Sequence, residues 1–348
     1  MANVADTGVL DSLGMLGLAF GLAEQVEDAA GLAAGLEGLP EHHEIENVVV
    51  LGMGGSGIAG DITAAIAGPF MPVPVVVSKS YECPSFTSEG TLCFAASMSG
   101  NTEETVEAAS EAAAAGARMI VLSSGGRLAE LAESWGAPWV QLPGDIPMPR
   151  AAIGAVSIPP LVVLEQVGLF PGASGWIGEA VAQLRRRRAE LARPGNLAEE
   201  TARAIGRTIP LVYGGGSVGG VAATRWKNQV NENAKAPAFA NAHPELCHNE
   251  VCGWGQHGDV TRQVFTLVQV RHDDEHPQVE RRFDYVREIL DEVVNDVLEV
   301  RAAGEGALAQ LFDLVFIGDL VSLHLAFNEG IDPGPIPVLE DLKQRLAQ

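Results

Sequence analysis

Long apolar runs recur along the chain, each followed by glycine and then by apolar positions at helical spacing. The first complete example starts at Asn47, where VVVLG leads into MGGSGIAGDITAAIAG. An uninterrupted β-branched run is the pattern of a strand buried on both faces, so a parallel strand is predicted to end at this turn. Further strands are predicted near 75–77, 92–96, 119–122 and 139–142, with helices near 103–115 and 128–135 between them. Such alternation predicts a doubly wound parallel sheet covered by helices on both faces, a three-layer α/β/α unit. Ahead of it, residues 8–36 carry Leu, Ala and Gly at helical spacing and predict a packing helix. Pro40 and the polar stretch EHHEIEN separate that helix from the first strand.

At 209 the pattern begins again. IPLVYGGGSVGGVAATRWKNQVNE repeats the strand, glycine, serine and helix order of 48–65, with Ser217 in the place of Ser56. Strands near 264–270 and 297–301, with amphipathic helices at 277–296 and 304–328, predict a second parallel α/β unit. Pro333, Pro335 and Pro337 then introduce a short final helix that carries Lys343. The predicted organisation is a first domain over 1–165, a charged connecting helix over 166–205 and a second domain over 206–348. Four successive arginines, Arg185 to Arg188, spread around all sides of a helix and cannot form one binding face. They are expected to pair with acids such as Glu179, Glu190, Glu199 and Glu200.

Composition narrows the partners. The chain has 348 residues, enough for two domains, and its 47% hydrophobic content can build sizeable cores. With 45 acidic against 22 basic side chains, the net charge of -23 argues against nucleic acid or an anionic membrane surface as partner. A small molecule fits better, and an anionic one must be held by local donors. Four cysteines in such a chain do not make a secreted disulfide framework, and the opening MANVADTGVLDSLGM lacks a basic, cleavable leader. A cytoplasmic protein without a spanning helix is expected, since no charge-free apolar run reaches the roughly 18 residues a membrane needs.

Candidate chemistry sits in two regions. The first is a pair of loops at predicted carboxyl ends of strands, GMGGSG at 52–57 and SMSGNTEET at 97–105. The glycine turn alone reads equally as a tight βα corner, because it lacks full dinucleotide spacing and a phosphate-binding lysine. The second loop alone reads as N-capping by Asn101 or Thr102. Capping does not account for Ser97, Ser99 and Thr102 together, and a crevice between two such loops is where doubly wound sheets hold anions on helix N-termini. Arg150 follows in DIPMPRAAIG, alone at the start of a small-residue helix, either a structural charge or a substrate contact.

The second region is WKNQVNENAKAPAFANAHPELCHNEVCGW, residues 226–254. A helix runs into Glu232 and is broken at Pro237, and a polar crossing then delivers His248. Glu232 is either a solvated helix acid or a general base, and His248 either a core imidazole held by a turn or its acid/base partner. Cys247, His248 and Cys252 lack the second ligand pair a structural zinc requires, so no metal is predicted. His42 and His43 are adjacent and are read as a solvated loop.

These motifs resemble a family. The pair GMGGSG and SMSGNTEET is similar to the phosphate loops of sugar isomerase (SIS) domains. WKNQVNENAKAPAF with PELCHNEVCGW resembles the bifunctional phosphoglucose/phosphomannose isomerases, which have two SIS domains, over nearly the whole chain. The resemblance implies a cofactor-free aldose-ketose isomerase acting on glucose 6-phosphate and mannose 6-phosphate. It implies that Glu232 moves the proton, that His248 assists ring opening from the neighbouring subunit of a homodimer, and that Arg150 steadies the enediolate. Lys343 is implied near the ring oxygen. Phosphate contacts fall to Gly55, Ser56, Ser97, Ser99 and Thr102. Two departures stand out: IDPGPIPV at 331–338 lacks the hydroxyl the family often has there, and Met98 replaces an expected aromatic. A non-catalytic sugar-phosphate sensor and an SIS isomerase for a different sugar phosphate are the rival readings.

Overall fold

A computed structural model describes residues 10–346. The chain divides into two compact units. The first comprises Gly21–Arg186 with Ala303–Asp313, and the second comprises Arg187–Ala302 with residues 10–20 and 314–346. In chain order, α1 (Met15–Phe20) and α2 (Leu22–Ala33) precede β1 (Asn47–Gly52), α3 (Gly54–Ile66) and β2 (Val75–Ser78). Then come β3 (Thr91–Ala96), α4 (Glu103–Ala114), β4 (Arg118–Ser123), α5 (Gly126–Trp135), β5 (Trp139–Gln141) and α6 (Ile153–Val167). These strands form a wholly parallel sheet of order β2-β1-β3-β4-β5. Its strand order reverses beside β1, where Gly52 pairs with Ala96 at the carboxyl ends of β1 and β3.

The packing of this unit explains its small residues. Val49, Leu51, Cys93 and Val121 bury one face of the sheet against Ala108, Ala109 and Ala112 of α4 and Leu128 of α5. Gly60 of α3 admits a close approach: a Cβ there would stand 2.6 Å from Val77 Cγ1 and 3.1 Å from Val50 Cβ. Contact at that range leaves no room for a side chain, so α3 lies directly on β2 and on β1, the strand that ends in the first glycine loop.

After α7 (Ala173–Leu191) and α8 (Leu197–Ile205) the second unit contributes β6 (Ile209–Gly215), α9 (Gly216–Gln229), β7 (Phe239–His243) and α10 (Gly258–Val264). It continues with β8 (Phe265–Arg271), α11 (Pro277–Leu290), β9 (Asp296–Arg301), the part of α12 (Gly306–Asn328) from Leu314 onward, and α13 (Pro337–Leu346). The sheet order is β7-β6-β8-β9, again all parallel. The two parallel α/β units are therefore as expected.

Several details differ from the sequence reading. The charged segment is two helices, divided by Pro194 and by Gly195 at φ +71°. Of its arginines, Arg187 pairs with Glu190 at 2.8 Å as expected, whereas Arg185 reaches Glu27 at 2.7 Å and Arg186 donates to Gln183 Oε1 at 3.0 Å. The polar crossing expected after Pro237 contains β7, an edge strand paired only with β6, half-exposed and without a continuous apolar run to signal it. Two helices do reach membrane length, Pro149–Val167 and Gly306–Asn328, but 83% and 89% of their apolar windows are buried inside the protein. The buried acids of α12 are paired: Asp313 accepts from Gln183 at 2.9 Å, and Asp319 binds Arg225 with bonds of 2.8 and 3.0 Å.

Candidate active site

The two loops of the first unit are joined to each other. Ser56, in the first turn of α3, accepts the Met98 backbone N–H on its Oγ at 3.0 Å. Ser97 and Thr102 share a hydrogen bond of 2.8 Å between hydroxyls. Ser56 and Ser97 are buried, Thr102 is half-buried, and Ser99 is exposed with its Oγ accepting from the Asn101 N–H at 3.2 Å. Thr102 does occupy the N-cap position of α4, but its side chain makes no capping bond. It turns back to Ser97 instead, so capping alone does not explain the loop. The result is a hydroxyl-lined crevice at the carboxyl ends of β1 and β3, with the N-termini of α3 and α4 beside it. Free N–H groups and the positive ends of helix dipoles make such a place suited to an anion.

A third loop, not singled out from sequence, closes the cradle. Ser124 donates its hydroxyl to the Met98 carbonyl at 2.7 Å, and Asn101 Oδ1 accepts the Arg127 N–H at 2.9 Å. The backbone of Gly125 approaches so closely that a Cβ on Gly100, at φ +70°, would lie 1.8 Å from its oxygen. The signal was present as SSGG following β4, a serine and glycine loop at the same end of the sheet.

Gly55 has a particular neighbour. A Cβ there would stand 2.8 Å from Arg150 N and 2.9 Å from Pro149 C, so the main chain bearing Arg150 sits directly on the first turn of α3. Arg150 is only 2% exposed. Its 3-10 turn, Pro149–Ala152, is clasped by Gln25 of α2, which donates to Ala151 O at 2.8 Å and accepts from Gly154 N at 2.6 Å. Gly55→Ala is therefore expected to cost about 1–3 kcal/mol by overpacking. A lowered urea midpoint would show it. Gly144→Ala, where a Cβ meets nothing within 4 Å, is the control; equal midpoints for the two variants would refute the contact.

The repeated glycine turn of the second unit builds no such cradle. At the carboxyl ends of β6 and β8 the space is filled by the unit's own side chains. His272 Nε2 lies 3.0 Å from Gly215 O, and Arg271 and Glu275 form a buried ion pair at 2.7 Å. A Cβ on Gly215 would meet Val279, Phe283 and Glu275 within 3.2 Å. Ser217 is exposed. The fold is duplicated, whereas the hydroxyl cradle belongs to the first unit.

Glu232 lies in an irregular turn. After Gln229 the helix widens into a π segment, Val230–Ala234, and Lys235 follows in the left-handed region at φ +54°. π insertions recur at functional sites because the extra residue re-aims a side chain. Asn233 fixes the turn by donating to Ser322 Oγ at 2.9 Å, and Asn231 closes it on Ala236 O at 2.9 Å. Glu232 itself is half-buried. Lys235 Nζ reaches the carbonyls of Asp332 and Pro333 at 2.8 and 2.9 Å.

His248 is exposed at the end of a 3-10 turn, Glu245–His248, so it is not a core imidazole. The core histidine of this loop is His243, 1% exposed, with Nδ1 3.4 Å from Cys247 Sγ. Burial, with Arg271 and Arg282 nearby, pushes His243 down to about 4, so it is neutral at physiological pH. Glu250 anchors the same loop: Tyr213 donates its hydroxyl to the Glu250 carboxylate, and Asn241 donates to Glu250 Oε2. Burial and that carboxylate hold Tyr213 well above the usual phenol range, keeping it a donor. Lys343 lies on α13, which has no buried residue.

Glu41, His42 and His43, set aside from sequence, bring their ligand atoms within 4.8 Å of one another on an exposed 3-10 turn. They stand at the amino end of β1, with about 20 Å of strand between them and the cradle.

Comparison with known proteins follows the same division. A family model described as the bacterial phospho-glucose isomerase C-terminal SIS domain matches residues 195–346, and a SIS domain model matches residues 43–133. The chain is 33% identical over 333 residues to a bifunctional phosphoglucose/phosphomannose isomerase of Caldicellulosiruptor bescii, covering 94% of this chain and 98% of that one. A protein of the same description from Thermoplasma acidophilum is 34% identical, covering 86% and 90%. Among solved structures, the C-terminal domain of glucosamine-fructose-6-phosphate aminotransferase from Francisella tularensis superposes with a TM-score of 0.66 at 16% identity, covering 92% and 97%, a likeness of fold.

Proposed function

The chain belongs to the bifunctional phosphoglucose/phosphomannose isomerase family, and from that premise we propose that it interconverts glucose 6-phosphate and mannose 6-phosphate with fructose 6-phosphate. In this reading the phosphate rests on Ser56, Ser97, Ser99 and Thr102 and on the amides around Gly55. Its charge is met locally, because the molecule as a whole carries -23. After ring opening, the Glu232 carboxylate takes the proton from C2, and the electron pair shifts to form the cis-enediolate. The proton returns at C1, and the hydroxyl proton moves from O2 to O1. Arg150 offers a fixed positive charge to the developing enediolate, which is the stabilisation that proton transfer without a cofactor requires. Glucose and mannose phosphates differ only at C2, so both yield one enediol and one base serves both.

His248 is assigned to ring opening in a homodimer, contributed across the subunit interface; its exposure on the 245–248 turn supports this. Lys343 is assigned to the ring oxygen. The observation that carries the whole reading is the cross-linked hydroxyl cradle of the first unit, with the Arg150 backbone seated on it. A coupled assay on both aldose phosphates, run with and without a chelator, tests it. Turnover of both sugars unaffected by chelation is expected. Absence of fructose 6-phosphate from either sugar would remove the dual assignment.

A further inference from the structure

Lys235 holds an unusual position beside the Glu232 turn. It is one of two non-glycine residues at positive φ among the described residues, at +54°, a region that L side chains seldom enter without a local reason. Its ammonium has three donors. They meet three carbonyls: Asn233 at 3.3 Å, Asp332 at 2.8 Å and Pro333 at 2.9 Å. The first belongs to the π segment that carries Glu232, and the other two open the segment IDPGPIPV.

That segment is held from other directions as well. The Asp332 carboxylate accepts from Gly334 N at 3.0 Å and from Ser12 N at 3.3 Å. A Cβ on Gly334 would lie 2.7 Å from Leu13, and Pro333, Gly334 and Ile336 are buried. Burial then stops: α13 begins at Pro337 and buries none of its residues. The placement of α13, and of Lys343 upon it, is thus inherited from the clamped residues 332–336. With no hydroxyl in this stretch, its backbone carbonyls are the acceptors that Lys235 uses.

We propose that Lys235 is a positioning residue that sets the helix carrying Lys343 in register with the turn carrying Glu232. The proposal rests on the reading of Glu232 and Lys343 as catalytic residues. A misplacement of about 1 Å costs on the order of 10²-fold in rate, so a helix still partly held by Ser12 and Leu13 should lose about tenfold. Lys235→Ala and Lys235→Met are expected to lower kcat about tenfold and to leave KM within about twofold, because the phosphate cradle lies in the other unit. Lys235→Arg, which keeps donors to two carbonyls, should restore most of the rate. Amide exchange over 337–346 should quicken in Lys235→Ala, with 216–229 unchanged. In a double-mutant cycle, Lys235→Ala with Lys343→Ala should be no slower than Lys343→Ala alone.

An unchanged kcat in folded Lys235→Ala, or unchanged exchange over 337–346, would overturn the proposal, as would a double mutant slowed by the product of the two single effects. Full activity in Lys343→Ala is a different result: it would remove the catalytic assignment of Lys343 and the proposal with it.

Discussion

Glu232→Gln should remove isomerisation of both aldose phosphates while leaving sugar-phosphate binding close to that of the parent protein. The amide keeps the size and one carbonyl oxygen of the carboxylate but cannot accept the C2 proton. General acid/base groups contribute about 10²–10⁴-fold, and Glu232 is the one base in the proposed scheme, so the fall in kcat should reach the upper part of that range. The π segment should survive, because Asn233 holds it to Ser322 and Asn231 to the Ala236 carbonyl. Two measurements decide the matter: turnover in the coupled assay, and deuterium entry at C2 from heavy water. Binding is followed by competition with inorganic phosphate. Near-parental turnover, or continuing exchange at C2, would move the base to another residue.

The contrast between the two glycine turns shows what could be read from the sequence and what could not. GMGGSG and YGGGSV follow the same local rules, and each does connect a buried parallel strand to a helix. Whether such a corner holds an anion depends on what stands opposite. In the first unit that neighbour is another hydroxyl loop, legible as SMSGNTEET. In the second it is His272, Glu275 and Phe283, some sixty positions further on, and no local signal announces that they fill the crevice. β7 was missed for a related reason: its residues FANAH have one strand neighbour and no continuous apolar run. The π segment depends on the distant Ser322, and the burial of Arg150 on Gly55. Local composition therefore revealed strands, loops and candidate acids, and tertiary partners decided which loop became a cradle.

Asp319→Ala should destabilise the second unit by about 3–5 kcal/mol, the usual consequence of removing one partner from a buried ion pair. Arg225 on α9 and Asp319 on α12 are 2% and 6% exposed and meet through two charge-assisted bonds. One residue beyond Arg225, Trp226 donates to Leu314 O at 2.7 Å and lies over Gly318, where a Cβ would be 2.2 Å from the indole nitrogen. Three residues beyond Asp319, Ser322 donates to the Asp319 carbonyl at 2.6 Å and accepts from Asn233. The ion pair, the indole and the Ser322 bond thus bind α9 to α12 on the side from which the Glu232 turn extends. Urea denaturation of Asp319→Ala, followed by a probe in the second unit, measures the loss; a change below about 1 kcal/mol would mean that the pair is not the clamp. Arg225→Met with Asp319→Leu should recover most of the stability, since an apolar pair of similar volume avoids the desolvation that two buried charges incur. The double variant keeps Ser322, Asn233 and the main chain that Ser322 binds. Its turnover should therefore return along with its stability, and recovery of stability without turnover would show that the charges act on the Glu232 turn by more than holding two helices together.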